Sequence, residues 1–179
     1  MRTGLIQVYT GEGKGKTTAA LGLALRAIGQ GLKVCFIQFM KPTDFATGEM
    51  AAAKRVAPGL KMVQFGSSET WGKGQPKHDT TIEMQTESKN ALDFAKKVTG
   101  EGHYDIIVLD EINLALDLRL LDMADVVELL KRRPSAVELI LTGRGAPQEI
   151  IDMADLVTEM VEVKHPYQSG VMARRGIEY

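Results

Sequence analysis

The run Gly11-Glu12-Gly13-Lys14-Gly15-Lys16-Thr17-Thr18 sets glycines among two lysines and two threonines, a mixture suited to holding a chain of phosphates. Glycines let backbone N–H groups turn inward around phosphate oxygens, and a helix that starts there adds its partial positive charge. Lys16 is placed to neutralise anionic oxygens, and Thr17 to set its hydroxyl on Mg²⁺. The spacing departs from the usual phosphate loop, whose first glycine stands one residue further from the Gly-Lys pair. Here Thr10 occupies that position, and only three residues separate Gly11 from Gly15.

A second set of groups begins at Ile106-Ile107-Val108-Leu109, an apolar run that ends in Asp110-Glu111. Such a run reads as a parallel strand buried on both faces, and carboxylates at its end emerge where α/β sheets hold their ligands. They are placed to hold Mg²⁺ directly or through water; in an ATPase, Glu111 would instead orient an attacking water. Together the two sets predict binding of a Mg-nucleotide. They leave the reaction open.

These groups need a scaffold, and the rest of the chain supplies one. Apolar runs predict strands at 5–9, 33–39, 60–65, 106–109, 137–141 and 156–164. Helical spacing predicts helices at 19–30, 47–57, 79–98, 122–133 and 147–153, and the tail at 165–179 has no clear period. Gly29 and Gly31 end the first helix, which completes a strand-helix-strand unit of the kind that builds parallel sheets. Residues 66–77 hold three glycines, a proline and Trp71, the sole tryptophan, and read as a long loop of the kind used as a lid. No repeat or linker interrupts residues 1–179. The expected fold is α/β: a single-domain phosphate-loop NTPase-like fold with a mostly parallel six-stranded sheet and helices on both faces.

Composition narrows the partners. Lys plus Arg (22) and Asp plus Glu (23) leave a formal charge of −1, so no overall field draws in nucleic acid or anionic lipid. The single cysteine, Cys35, excludes an internal disulfide and sits in an apolar run, as a buried thiol in a reducing compartment would. Neither a leader nor a membrane-length apolar run is visible, and the protein is expected to be cytoplasmic.

Further stretches carry a resemblance. They are Tyr9 onward through the glycine loop to Gly22, Arg26-Ala27, Gln38-Phe39, Gly48-Glu49 and Val108-Leu109-Asp110-Glu111. Thr142-Gly143-Arg144-Gly145, Ala154-Asp155, Val163-Lys164-His165 and the closing Gly176-Ile177-Glu178-Tyr179 complete the set. In these the chain resembles the cob(I)alamin adenosyltransferase family (ATP:corrinoid adenosyltransferases) of the phosphate-loop type, from about residue 5 to the last. The resemblance implies that Co(I) of a reduced corrinoid attacks C5′ of ATP and the whole triphosphate departs, giving adenosylcobalamin or an adenosylated precursor. It also implies that ATP lies in the reverse of its ordinary polarity. By position, Gly11, Glu12, Gly13, Lys14, Gly15, Lys16, Thr17, Thr18 and Arg144 would bind ATP. Lys16 and Glu111 would be catalytic, with Thr17 and Glu111 on Mg²⁺.

Trp71 matches one of two aromatic residues with which the family displaces the corrinoid's lower ligand, and Glu69 stands where the other, a Phe, is found. Some members carry an N-terminal extension that covers the site; Met1 stands almost on the first strand, so that cover is expected to be absent. The family habit is a homodimer, with an electron donor such as a flavodoxin-type reductant. An ordinary phosphate-loop ATPase and a non-catalytic nucleotide or corrinoid carrier remain as alternatives.

Overall fold

Six strands form one sheet in a computed structural model that describes residues 3–44, 47–66 and 82–178. They are β1 (Ile6–Thr10), β2 (Val34–Phe39), β3 (Leu60–Phe65), β4 (Ile106–Asp110), β5 (Glu138–Thr142) and β6 (Leu156–Glu159). The spatial order is β3-β2-β4-β5-β1-β6, and every pairing is parallel. All the strands therefore point the same way, and the loops that leave their carboxyl ends share one edge of the sheet. Register brings particular residues level: Gln38 of β2 lies opposite both Asp110 of β4 and Gln64 of β3.

Helices cover both faces. On one side, α1 (Lys16–Gly29) lays Ala20, Ala24 and Ala27 against Val34, Phe36, Ile106, Val108 and Ile140. Alanine at that spacing brings the helix close to the strands, and so fixes the loop that precedes it. The short α2 (Gly48–Val56) lies beside β3 and is capped by Thr47, whose hydroxyl accepts from Met50 N at 3.4 Å. The opposite face is buried by α3 (Ile82–Glu101), α4 (Ile112–Asp117), α5 (Met123–Arg132) and α6 (Gln148–Met153). The larger core lies there, with Ile37, Leu109, Leu139 and Leu141 packed among Leu92, Leu116, Val126 and Ile150.

Among the bounds that differ from those read in the sequence, three shift by three residues or more, and one helix is new. Helix α1 begins at Lys16 instead of residue 19, because hydrophobic period reports burial and the first turn here turns its side chains toward the ligand edge. Helix α3 runs to Glu101, past the predicted end at 98. Strand β6 stops at Glu159, not 164: all four of its residues are exposed, and Met160 turns to bond the glycine loop. Helix α4 was not expected, since its six residues continue an apolar strand and are too short to display a period.

Candidate functional site

The departure from usual spacing has a structural reason. Thr10 is the last residue of β1, and its Oγ1 accepts a hydrogen bond from Ala146 N at 3.2 Å, which ties the turn holding Arg144 to the start of the loop. The left-handed step falls at Gly11, with φ 94°, where a Cβ would lie 2.5 Å from Met160 O. Gly13 N donates to that same carbonyl at 2.7 Å. The loop is thus clamped from below by the residue that follows β6. Gly15, at φ 127°, then opens α1.

Inside the loop, Lys16 Nζ donates to Gly11 O at 2.6 Å and Gly13 O at 2.8 Å, and the residue is only 8% exposed. Burial lowers its pKa; Glu111, among its neighbours, works in the other direction. The cradle, about 250 Å³, gathers Lys14, Lys16, Thr17, Thr18, Glu111 and Arg144, all residues expected there from the sequence. Glu12 lines it too, but its carboxylate pairs with Arg144 Nη1 at 3.2 Å. His165 also reaches this cavity, and its Nδ1 accepts from Tyr167 N at 3.3 Å. Trp71 and Glu69 lie outside the described residues.

Asp110 is wholly buried at the end of β4 and is the hub of a polar network. Its Oδ1 accepts from Thr17 Oγ1 at 2.8 Å and from Thr142 Oγ1 at 2.7 Å. Its Oδ2 accepts from Gln38 Nε2 at 3.2 Å and lies 3.6 Å from Lys41 Nζ. Gln64 Nε2 donates to Gln38 Oε1 at 3.0 Å, which turns the Gln38 amide nitrogen toward the acids. Glu49 joins through Oε1, 3.3 Å from both Gln38 Nε2 and Lys41 Nζ. Burial works against the Glu49 charge, but its own backbone N–H, Lys41 and Gln38 together outweigh it and hold the carboxyl below the usual range. Gln38, Lys41, Gln64 and Thr142 were not singled out as site residues in the sequence. Gln38 and Thr142 stood there only within the stretches of resemblance, and Lys41 and Gln64 showed only polar character inside or just after strands that are otherwise apolar.

Glu111 is unlike the others. Its backbone is left-handed, with φ 67° and ψ 16°, and is held so by its N–H donating to Thr142 Oγ1 at 3.0 Å. Its Oε2 is buried with no hydrogen-bond partner among the described residues. Burial, then the neighbouring Asp110, push its pKa up. A buried acceptor without a donor, beside the Thr17 hydroxyl and Asp110, is a set of hard oxygens suited to a small divalent cation.

The tail closes one side. Lys14 Nζ donates to Ile177 O at 3.2 Å and Glu178 Oε1 at 3.1 Å, while Arg174 binds both Glu178 oxygens. Those contacts, led by Arg174, hold the Glu178 carboxyl down at about 2.

A glycine loop between strand and helix, with a strand-end acid pair opposite, defines the phosphate-loop nucleotide-binding class. Solved structures share the fold. The flagellar accessory protein FlaH from Methanocaldococcus jannaschii superposes with a TM-score of 0.56 at 15% identity, over 89% of this chain and 72% of that one. The KaiC-like protein PH0186 from Pyrococcus horikoshii gives 0.55 at 18%, over 89% and 73%.

Sequence comparison goes further. The model of the family described as ATP:corrinoid adenosyltransferase BtuR/CobO/CobP matches residues 2–179, and the chain belongs to that family. Relatives named corrinoid adenosyltransferase include one from Sinorhizobium sp., 37% identical over 98% of this chain and 80% of its own. Another, from Escherichia coli K12, is 36% identical over 98% and 86%. An uncharacterized protein of Nostoc sp., all2391, is 43% identical over 92% of this chain, which spans only 45% of that relative's length.

Proposed function

We propose that the chain transfers the 5′-deoxyadenosyl group of ATP to Co(I) of a reduced corrinoid, releasing triphosphate and giving adenosylcobalamin or an adenosylated precursor. One observation carries the reading: in a chain that belongs to this family along its length, the Lys16 cradle and the unpaired Glu111 carboxylate line one cavity. Cobalt(I) is a nucleophile that needs no deprotonation, so the protein's task is to hold the leaving group and align C5′ with the metal. Lys16, Lys14, Arg144 and the loop's backbone N–H groups, apart from that of Gly13, which Met160 O engages, stabilise the negative charge that gathers on the departing triphosphate. Thr17 and Glu111, with Asp110 behind them, would hold Mg²⁺. When bound, that ion would act as a Lewis acid on the phosphate oxygens.

The same reading makes residues 1–179 one catalytic domain, working in the cytoplasm as a homodimer and served by a flavodoxin-type electron donor. Trp71 would face the corrinoid. The balanced charge supports a small-molecule substrate over nucleic acid. The test is anaerobic incubation with ATP, Mg²⁺ and chemically reduced cobalamin. Triphosphate together with a light-sensitive cobalt–carbon chromophore is the expected outcome. Orthophosphate formed without corrinoid would mean an ATPase, and tight binding without product a carrier.

A further inference from the structure

The cations of the cradle all carry partners of their own. Arg144 Nη1 lies 3.2 Å from Glu12, Lys14 Nζ lies 3.1 Å from Glu178, and Lys16 Nζ is taken up by the carbonyls of Gly11 and Gly13. His165 lines the same cavity and differs from them. It caps the single 3₁₀ turn Pro166–Ser169: its carbonyl accepts from Gln168 N at 3.1 Å and its Nδ1 from Tyr167 N at 3.3 Å. A ring nitrogen that accepts from an N–H carries no proton, so the neutral imidazole keeps its proton on Nε2. That N–H has no acceptor among the described residues.

The ring is also held in place. The segment that carries it is pinned to the glycine loop on both sides: Met160 O accepts from Gly13 N at 2.7 Å before it, and Ile177 O accepts from Lys14 Nζ at 3.2 Å after it. Gln168 Nε2 donates to Glu162 Oε1 at 2.7 Å and ties the 3₁₀ turn back to the stretch that leads into it. A half-buried donor, set in one tautomer by the backbone and lining a cavity of cations, has the form of a phosphate contact. We infer that His165 is a further triphosphate-binding residue, which donates its Nε2–H to a phosphate oxygen while Nδ1 stays bonded to Tyr167 N. This rests on the ATP reading above. Lys14 and Arg144 would share any phosphate with Glu178 and Glu12, whereas His165 has no bond to exchange. As a neutral donor it adds direction without adding charge, and so helps to orient the leaving group.

Two substitutions separate the two ring nitrogens. Asn sets its side-chain oxygen as many bonds from the backbone as Nδ1, so His165→Asn keeps the cap on Tyr167 N and loses the distal donor. Gln sets its amide nitrogen as many bonds out as Nε2, so His165→Gln keeps the donor and gives up the cap. The test measures binding of inorganic tripolyphosphate with Mg²⁺ to the full chain by calorimetry. His165→Asn should weaken it about tenfold, the scale of one hydrogen bond to a charged acceptor, and His165→Gln by no more than about threefold. Nitrogen NMR of the labelled wild-type chain supplies a second readout. The ring whose signals vanish in His165→Asn should show the Nε2–H tautomer, and its Nε2 signal should move when tripolyphosphate is added. Normal binding by His165→Asn, with the loss in His165→Gln instead, would make the ring a cap alone and overturn the inference. Equal losses in both variants, with an Nε2 signal that ignores tripolyphosphate, would overturn it as well. Normal ATP binding and adenosyl transfer in His165→Asn defeat this inference alone, whereas no ATP binding by the wild type defeats the functional reading itself.

Discussion

At the scale of single residues, Lys16 and Glu111 are prepared for a ligand in opposite ways. Lys16 satisfies its buried ammonium on the loop's own carbonyls, so the loop holds its shape around the cation. Lys16→Ala should cut transfer from prereduced corrinoid by at least about a hundredfold, the scale set by losing one preorganised donor to a developing anion. Glu111 instead leaves an oxygen unpaired and buried, a cost of order 1–3 kcal/mol that a ligand would remove. Glu111→Gln should therefore abolish Mg-dependent nucleotide binding yet raise the melting temperature of the free chain, by about 2–4 °C for a gain of about 1 kcal/mol. A melting temperature that falls would mean that the carboxylate is structurally satisfied. Lys16, Thr17 and Glu111 were legible because loop and acid pair are each contiguous in sequence. Gln38 and Gln64 were not, since only the parallel register of β2, β3 and β4 brings such distant positions level, and Lys41 and Glu49 join them only through the loop and helix that follow β2.

At the scale of elements, the tail is the part that sequence period said least about. Residues 174–178 fold back across the glycine loop, and Glu178 occupies Lys14, a cation that a triphosphate would otherwise engage. The pair is exposed and so readily exchanged. Glu178→Gln should tighten binding of inorganic tripolyphosphate about two- to fivefold, the scale of one exposed ion pair. Weaker binding would show instead that the tail itself grips the ligand. The strands with continuous apolar runs, β2, β4 and β5, were readable because burial on both faces leaves no alternation to misjudge. Elements that serve the site were harder. The first turn of α1 and all of α4 are set by loop geometry and by Glu111's left-handed backbone, and neither leaves a hydrophobic period.

At the scale of the whole molecule, the question is whether the ligand edge and the core open as one unit. Cys35 provides a probe: it lies in β2 with no exposed surface, and burial pushes its thiol up to about 12. The sign follows from which form the fold prefers. Because the native state favours the neutral thiol, this group's contribution is fully present below the unfolded thiol's pKa, about 8.5, and is lost as pH rises from there toward the native value. At pH 8 a thiolate-specific reagent should then react only through opening, at a rate that reports the population of opened molecules. β2 pairs with β4, whose Asp110 bonds Thr17 of the glycine loop, so exposing Cys35 breaks the network that forms the cradle. ATP with Mg²⁺ at about a hundred times its dissociation constant should accordingly slow the labelling roughly a hundredfold, the full linkage expected for a ligand that binds only the folded state. Labelling that ignores the nucleotide would mean that β2 and β3 open apart from the cradle, and that this end of the sheet is a separate cooperative unit.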